Sequence, residues 1–159
     1  MPFFRIGLII ACAVAGLHAQ QLLPTEVQAL EAAWASGQRL TNTPVTLTRG
    51  FTAPTAPGQA VVAVPSETVT TDTTGIARTS TKRWERIVIH LPRATSANHM
   101  ACLMVSGKCQ ALPVGASLDK ANSILYWHVP NAYKGDFDFA FLQAGSRVGV
   151  VRVTAGTGD

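Results

Sequence analysis

The sequence predicts a mainly β protein, a sandwich or barrel of short strands preceded by one short helix. Beyond Leu40 the chain is a series of short β-prone runs separated by turn-forming residues, the pattern of an all-β domain. Apolar and polar positions alternate most clearly around Phe137, Phe139 and Phe141. Because side chains alternate across a strand, one face of this strand is expected in the core and the other in water.

The predicted strands are rich in β-branched and aromatic residues and are bounded by turn formers. They cover residues 44–49, 59–64, 67–71, 76–79, 84–91, 100–105, 124–129, 136–142 and 147–154. Residues 50–58 contain Pro54 and Pro57 and are predicted to form a loop.

One segment, residues 20–40, is predicted to contain a helix. Its apolar residues recur at helical spacing: Val27, Leu30, Ala33 and Trp34. Thr25 is the predicted N-cap, and Gly37 is predicted to end the helix. The helix lacks the lysines and arginines of a membrane-surface helix, so packing is the preferred role and binding of a partner or membrane is the alternative.

The first nineteen residues are predicted to be a secretory signal peptide. Arg5 is followed by the apolar run 6–17, and Ala19 supplies the small residue expected at a cleavage site. The run is shorter than the roughly twenty residues of an anchored membrane helix. Cleavage would release a chain beginning near Gln20, and we expect an exported protein that is secreted, periplasmic or associated with the cell surface. Lipoprotein processing at Cys12 is the alternative.

Removing this segment leaves 140 of the 159 residues, the size of one domain with its own core. We predict a β-domain over residues 41–155, with a sub-boundary near 95–107 as an alternative, and a tail at 156–159. The net charge is +4, or +3 without Arg5, and no nucleic-acid partner is predicted. Five cations lie in one stretch: Arg78, Lys82, Arg83, Arg86 and Arg93. A solvated strand face is the preferred interpretation, and attraction to an anionic polymer or lipid is the alternative.

Cys102 and Cys109 are the two cysteines of the expected mature chain. Ser106 and Gly107 signal a turn between them, and two strands folding back there would place the cysteines opposite one another. In an oxidising compartment we predict a disulfide that closes this hairpin. Two free buried thiols and a metal pair are the alternatives, although further ligands at metal-site spacing are missing.

Four landmarks follow one another late in the chain: residues 112–119 (LPVGASLD), 125–130 (LYWHVP), 135–141 (GDFDFAF) and the valine-rich run 148–153. In this order they resemble the immunoglobulin-like (He_PIG type) domains of bacterial surface proteins, which are similar to cadherin-like sandwiches. The resemblance covers about residues 108–155. It implies an immunoglobulin-like β-sandwich acting as a non-catalytic adhesion or spacer module.

A second resemblance lies upstream, in residues 69–77 (VTTDTTGIA). This segment looks like the hairpin of other bacterial immunoglobulin-like repeats, with Asp72 and Gly75 in the turn between two strands. An ordinary hairpin unrelated to those repeats is the alternative.

Sequence patterns for catalysis are missing. The mature histidines, His90, His99 and His128, lack the spacing of a helical zinc site, and no serine lies in a nucleophile-elbow pattern. We therefore predict that the protein is not an enzyme and has no catalytic residues.

No cofactor or metal is predicted, and calcium is the one alternative. Asp136 and Asp138 occupy alternate positions of one strand, so their carboxylates would share a face and could meet a cation together with Asp119. A solvated acidic face is the preferred interpretation.

Aromatic side chains are the best candidates for binding. Trp84, Tyr126, Trp127 and Tyr133 could form a stacking surface for sugar or peptide if they are exposed. Because Tyr126 and Trp127 are consecutive in a strand, they face opposite sides, and one of them is expected in the core. The resemblance to bacterial immunoglobulin-like domains implies that this residue is Trp127, which matches the packing position of that family.

The sequence thus predicts an exported, non-catalytic immunoglobulin-like module for adhesion or for contact with a protein or polysaccharide of the cell surface or envelope, without an integral membrane span. A carbohydrate-binding or assembly accessory subunit is the first alternative. A secreted hydrolase with an unrecognised site is the second.

Overall fold

The computed structural model describes residues 23–50, 65–92, 100–143 and 147–157. These residues form one helix followed by ten strands. The elements are α1 Pro24–Ala35, β1 Pro44–Arg49, β2 Ser66–Thr70, β3 Ile76–Thr81, β4 Arg86–His90, β5 Met100–Val105, β6 Lys108–Gln110, β7 Ala116–Asp119, β8 Ile124–His128, β9 Gly135–Gln143 and β10 Arg147–Ala155. The predicted mainly β class with one short helix is confirmed.

The strands form two five-stranded sheets that pack face to face. The first sheet has the order β2-β1-β4-β8-β7, and the second has the order β3-β10-β9-β5-β6. Of the two architectures expected, the sandwich is therefore the one that forms. Neighbouring strands are antiparallel except β3 and β10, which run parallel from the pair Val150–Ile76 to the pair Ala155–Thr81.

The core between the sheets centres on Trp127 of β8, which is fully buried. Its ring lies 4.9 Å from that of Phe137 and 5.1 Å from that of Phe139, both on β9 of the opposite sheet. The indole N–H donates to the carbonyl of Val114 at 3.3 Å, so the polar atom of this buried side chain is satisfied. The predicted inward row of Phe137, Phe139 and Phe141 is confirmed.

Helix α1 forms a third layer on the outer face of the second sheet. Leu30 and Ala33 are buried there in a second apolar cluster with Cys102, Met104, Ala140, Val148 and Val150. The expectation that the outer faces of the strands meet water is therefore wrong for this part of β9 and β10, because the helix covers them. The predicted packing role of the helix is confirmed.

The start of the helix differs from the prediction. Leu23 is the N-cap residue and Pro24 occupies the first turn, where a missing N–H costs nothing. The Glu26 carboxylate accepts the N–H of Leu23 at 3.1 Å. Thr25 lies inside the helix, so its predicted capping role is wrong. Gly37 follows the last turn with a φ of 70°, as a helix-ending glycine does.

Strand prediction fails where strands are short. β7 is not among the predicted strands, and β6 is expected only as the second strand of the cysteine hairpin, because three or four residues between turn formers show too little alternation to be recognised. The strand predicted at residues 59–64 lies outside the described residues. Most other predicted strands differ from the observed ones only at their ends.

The hairpin of β5 and β6 turns at Ser106 and Gly107, whose φ angles of 49° and 77° suit a two-residue turn. This turn sets a register in which Cys109 lies opposite Met104. The prediction that the two cysteines lie directly opposite one another is therefore wrong. Cys102 and Cys109 lie diagonally across the hairpin, with Cα atoms 5.6 Å apart, and are joined by a disulfide.

The turn after β2 carries the chain from the first sheet to the second. The predicted hairpin between β2 and β3 is wrong, because these strands belong to different sheets. The Asp72 carboxylate organises the turn by accepting the N–H of Thr74 at 2.8 Å and that of Ile76 at 3.1 Å. Gly75 adopts a φ of 79°, in the left-handed region that favours glycine.

This turn predicts a pH-dependent contribution to stability. The Thr74 hydroxyl, the Arg78 guanidinium and the Ile76 N–H hold the pKa of the Asp72 carboxyl well below its usual value. Since the folded-state pKa is lowered, the stabilisation is complete above the unfolded-state pKa of about 4 and is lost as the pH falls toward the folded-state value. Asp72→Asn should lower the urea midpoint at pH 7, and the difference from the native chain should shrink below about pH 4.

The matched control is Asp136→Asn, since Asp136 is exposed and accepts one side-chain bond, from Thr154 at 2.7 Å. It should change the midpoint less at neutral pH. A difference between the native chain and Asp72→Asn that stays constant between pH 7 and pH 3 would contradict this role of the carboxylate.

Candidate functional site

The outer face of the first sheet is the candidate site. On β4 the side chains of Ile87 and Ile89 enter the core, so Arg86, Val88 and His90 point away from it. The same alternation on β8 buries Leu125 and Trp127 and turns Ile124, Tyr126 and His128 outward. These six outward residues are half-buried, and α1 covers the other sheet, not this face.

The face contains a shallow depression of about 200 Å³. Its lining residues come from β1 and the residue that follows it, from β4 and from β8: Thr48, Gly50, Arg86, Val88, His90, Ile124 and Tyr126. The lining contains an arginine, a histidine, a phenol and apolar methyl groups, and it contains no carboxylate. The depression is smaller than the roughly 300–1,000 Å³ of most small-molecule sites, so it would hold only part of a larger ligand.

Rings and a cation extend from the depression to one end of the sandwich. The Arg86 guanidinium lies over the Tyr126 ring, 4.9 Å from its centroid. Arg86 pairs with His128 across the sheet, and the His128 ring lies 6.1 Å from the Trp84 ring. We call Tyr126, Arg86, His128 and Trp84 the aromatic–basic stripe.

Trp84 is held at the end of the stripe by a strained turn. Its φ of 62° is in the left-handed region, which costs a residue with a Cβ about 1–2 kcal/mol. The Trp84 N–H donates to Val129 at 3.0 Å, and the Glu85 carboxylate accepts the N–H of Lys82 at 2.9 Å. The indole remains 62% exposed. Strain that presents a large apolar ring to solvent is a feature found at binding sites.

The four aromatic residues singled out from the sequence do not form one surface. Trp84 and Tyr126 belong to the stripe, whereas Trp127 is fully buried, as the alternation of β8 predicts. Tyr133 stacks on Phe137 with ring centroids 5.3 Å apart and a 19° interplanar angle, beside Trp127. Trp127 and Tyr133 therefore serve the core, and a surface site made of all four aromatics is wrong.

Sequence reasoning named Arg86 only as one of five neighbouring cations and His128 only as one of three histidines, and it placed neither beside the aromatic candidates. Arg86 and His128 come together because β4 and β8 are neighbours in a register that the sequence does not reveal. A usable signal exists within β4, where Arg86 and His90 alternate with buried isoleucines and must share the outer face. His99 lies outside the described residues.

The aspartates considered for calcium are dispersed. Asp119 lies at the edge of the first sheet, and its carboxylate accepts the side-chain and backbone N–H groups of Asn122, which lowers its pKa. Asp138 forms a two-pronged pair with Arg152 at 2.7 Å on the second sheet, and this pair raises the pKa of the guanidinium. Within the described residues, no group of three histidines, cysteines or acidic residues is placed to hold a metal ion.

Comparisons with protein-family models, with curated proteins and with solved structures find no match to this chain. In the part of the chain that the structure describes, no helix is both long and apolar enough to cross a bilayer.

Exposure separates the roles of two tryptophans in a testable way. Trp127→Ala should lower the free energy of unfolding by about 3–5 kcal/mol, because a fully buried indole is replaced by a cavity. Trp84→Ala should change it by less than about 1 kcal/mol, because the lost ring is mostly in solvent. Urea unfolding followed by far-UV circular dichroism measures both. Equal losses in the two variants would show that Trp84 serves the core.

Proposed function

We propose that this chain is an exported, non-catalytic immunoglobulin-like module for adhesion or for contact with a partner of the cell surface or envelope. The observation that carries the proposal is the order of the strands from β3 to β10. The open outer face of the first sheet supplies the contact surface.

The strand order supports an immunoglobulin-like assignment. In such domains strands B, E and D lie in one sheet and strands G, F and C in the other. Here β4, β8 and β7 are neighbours in the first sheet, as B, E and D would be, and β10, β9, β5 and β6 follow one another in the second, as G, F, C and C′ would be. In this assignment β1 occupies the position of strand A beside B, β3 lies beside G, and β2 is an addition at the edge.

The positions of the sequence landmarks also favour this assignment. Residues 108–155, where the resemblance to bacterial immunoglobulin-like domains lies, run from β6 to β10. Gly115 has a φ of 83°, and a Cβ placed there would lie 2.4 Å from the carbonyl oxygen of His128. Glycine is therefore required at this turn, as expected for a landmark that specifies the fold.

Export is supported by two independent features. The first nineteen residues have the composition of a signal peptide. The disulfide between Cys102 and Cys109 is of the kind that forms and persists in oxidising compartments. A module of this kind acts by binding, and the strained, exposed Trp84 together with the half-buried Tyr126 gives it a surface suited to that role.

The proposal predicts export and saturable binding. When the full chain is produced in a secreting bacterial host, the recovered protein should lie outside the cytoplasm and its intact mass should correspond to a start near Gln20. The purified, fluorescently labelled protein should bind washed cell-envelope fragments saturably, and unlabelled protein should compete. Retention in the cytoplasm, or binding that neither saturates nor is competed, would overturn the proposal.

A further inference from the structure

We propose that the outer face of the first sheet is a binding site for a carboxylated polysaccharide, which lies along the aromatic–basic stripe and the adjoining depression. This inference rests on the proposed function and deepens it by naming the site and the chemical class of its ligand.

Recognition at this face must rely on side chains. The stripe lies on β4 and β8, and each is hydrogen-bonded to a strand on both sides, β4 to β1 and β8, and β8 to β4 and β7. A peptide that binds by adding a strand needs an unpaired sheet edge. The backbone groups of β4 and β8 are already used, so a ligand here meets rings, guanidinium, imidazole and hydroxyl groups.

The charge of the face favours an anion. Arg86 is the charged residue in the lining of the depression, and this lining contains no carboxylate. Two described acidic side chains on or beside this sheet, those of Glu85 and Asp119, are bonded to other groups. The Glu85 carboxylate accepts the Thr81 hydroxyl at 2.8 Å and lies 3.6 Å from the Arg49 guanidinium.

Asp119, at the far edge of the same sheet, is bonded to Asn122. Arg86 is thus placed where a carboxylate on the ligand would reach it, and no carboxylate lies in the lining of the depression. Pairing of a guanidinium with a carboxylate is charge-assisted and stronger than a bond between neutral groups.

The rings favour a sugar chain over a small free anion. Tyr126 and Trp84 lie at opposite ends of the stripe. Tyr126 and His128 are two residues apart on β8, about 7 Å along the strand, and the His128 ring lies 6.1 Å from the Trp84 ring, so the stripe extends over at most about 13 Å. Aromatic faces offer flat apolar surface to the C–H groups of a sugar ring, while the intervening cation meets its carboxylate. A lone carboxylate or phosphate would contact only a small part of a stripe of this length.

The stripe is organised before any ligand binds. Trp84 is fixed by its backbone bond to Val129 and by the turn that Glu85 closes. Arg86 is held against the Tyr126 ring, and a guanidinium loses little further freedom on forming a bond from such a position. Binding to a preformed surface costs less free energy, because fewer side chains have to be ordered when the ligand binds.

The test uses polygalacturonate, a homogeneous polymer of carboxylated sugars, and titration calorimetry with the purified mature protein. Polygalacturonate should bind, and its affinity should fall as salt is raised. Arg86→Gln and Trp84→Ala should each weaken binding roughly tenfold or more, because the first removes the cation that meets the ligand carboxylate and the second removes an exposed stacking ring. Both variants are first checked for native circular dichroism, and Trp84 is the position at which loss of the side chain is expected to leave folding intact.

The charge control is Arg147→Gln, which removes an exposed arginine from β10 of the other sheet. It should change the affinity by no more than about twofold, as expected for a distant surface charge. The ligand control is fully methyl-esterified polygalacturonate, which keeps the sugar rings and lacks the charge and should not bind measurably.

Three results would overturn the inference: no binding of polygalacturonate, an equal loss of affinity in Arg147→Gln, or equally tight binding of poly-glutamate, which would identify an acidic polypeptide as the ligand class. If envelope binding persists undiminished in Arg86→Gln and Trp84→Ala while polygalacturonate does not bind, the inference fails and the interaction module stands. If native protein binds neither the envelope nor the polymer, both fail.

Discussion

The structure depends on β10 being paired and packed on every side. It hydrogen-bonds to β9 and to β3, its outer face lies under α1, and the chain after the helix bonds to it through Leu40 and Gln38 at Val148. Gly149 faces the Phe141 ring so closely that a Cβ would lie 2.3 Å from it. The only described helix covers this sheet, and it does not cover the outer face of the first sheet.

Much of the fold follows from local pattern. The alternation around Phe139 and the apolar spacing of α1 each specify which side chains are buried, since period 2 and period 3.6 leave little choice of face. Local sequence pattern does not show which strands become neighbours in a sheet. The sequence of the turn at Asp72 predicts a hairpin. The turn instead leads from one sheet to the other, because β3 pairs with a strand some seventy residues later in the chain.

Only the aromatic members of the candidate site could be predicted, because local pattern indicates which side chains face outward but not which strands are neighbours. The sequence indicated Trp84 and Tyr126 as aromatic candidates, and alternation together with the resemblance to immunoglobulin-like domains indicated Trp127 as a core residue. The sequence did not connect them with Arg86 and His128, because cross-strand neighbours depend on the β4–β8 register. The exposure of Trp84 depends on a backbone conformation that is rare for a bulky residue, and no sequence rule anticipates it.

The central claim is that β3 closes the sandwich by pairing in parallel with β10. The most direct measurement is the pattern of nuclear Overhauser contacts between backbone protons of the two strands. The account predicts contacts that advance in the same direction along both strands, from Ile76 beside Val150 to Thr81 beside Ala155. Contacts that advance in opposite directions, or a β3 that pairs with β2 as a hairpin, would contradict it.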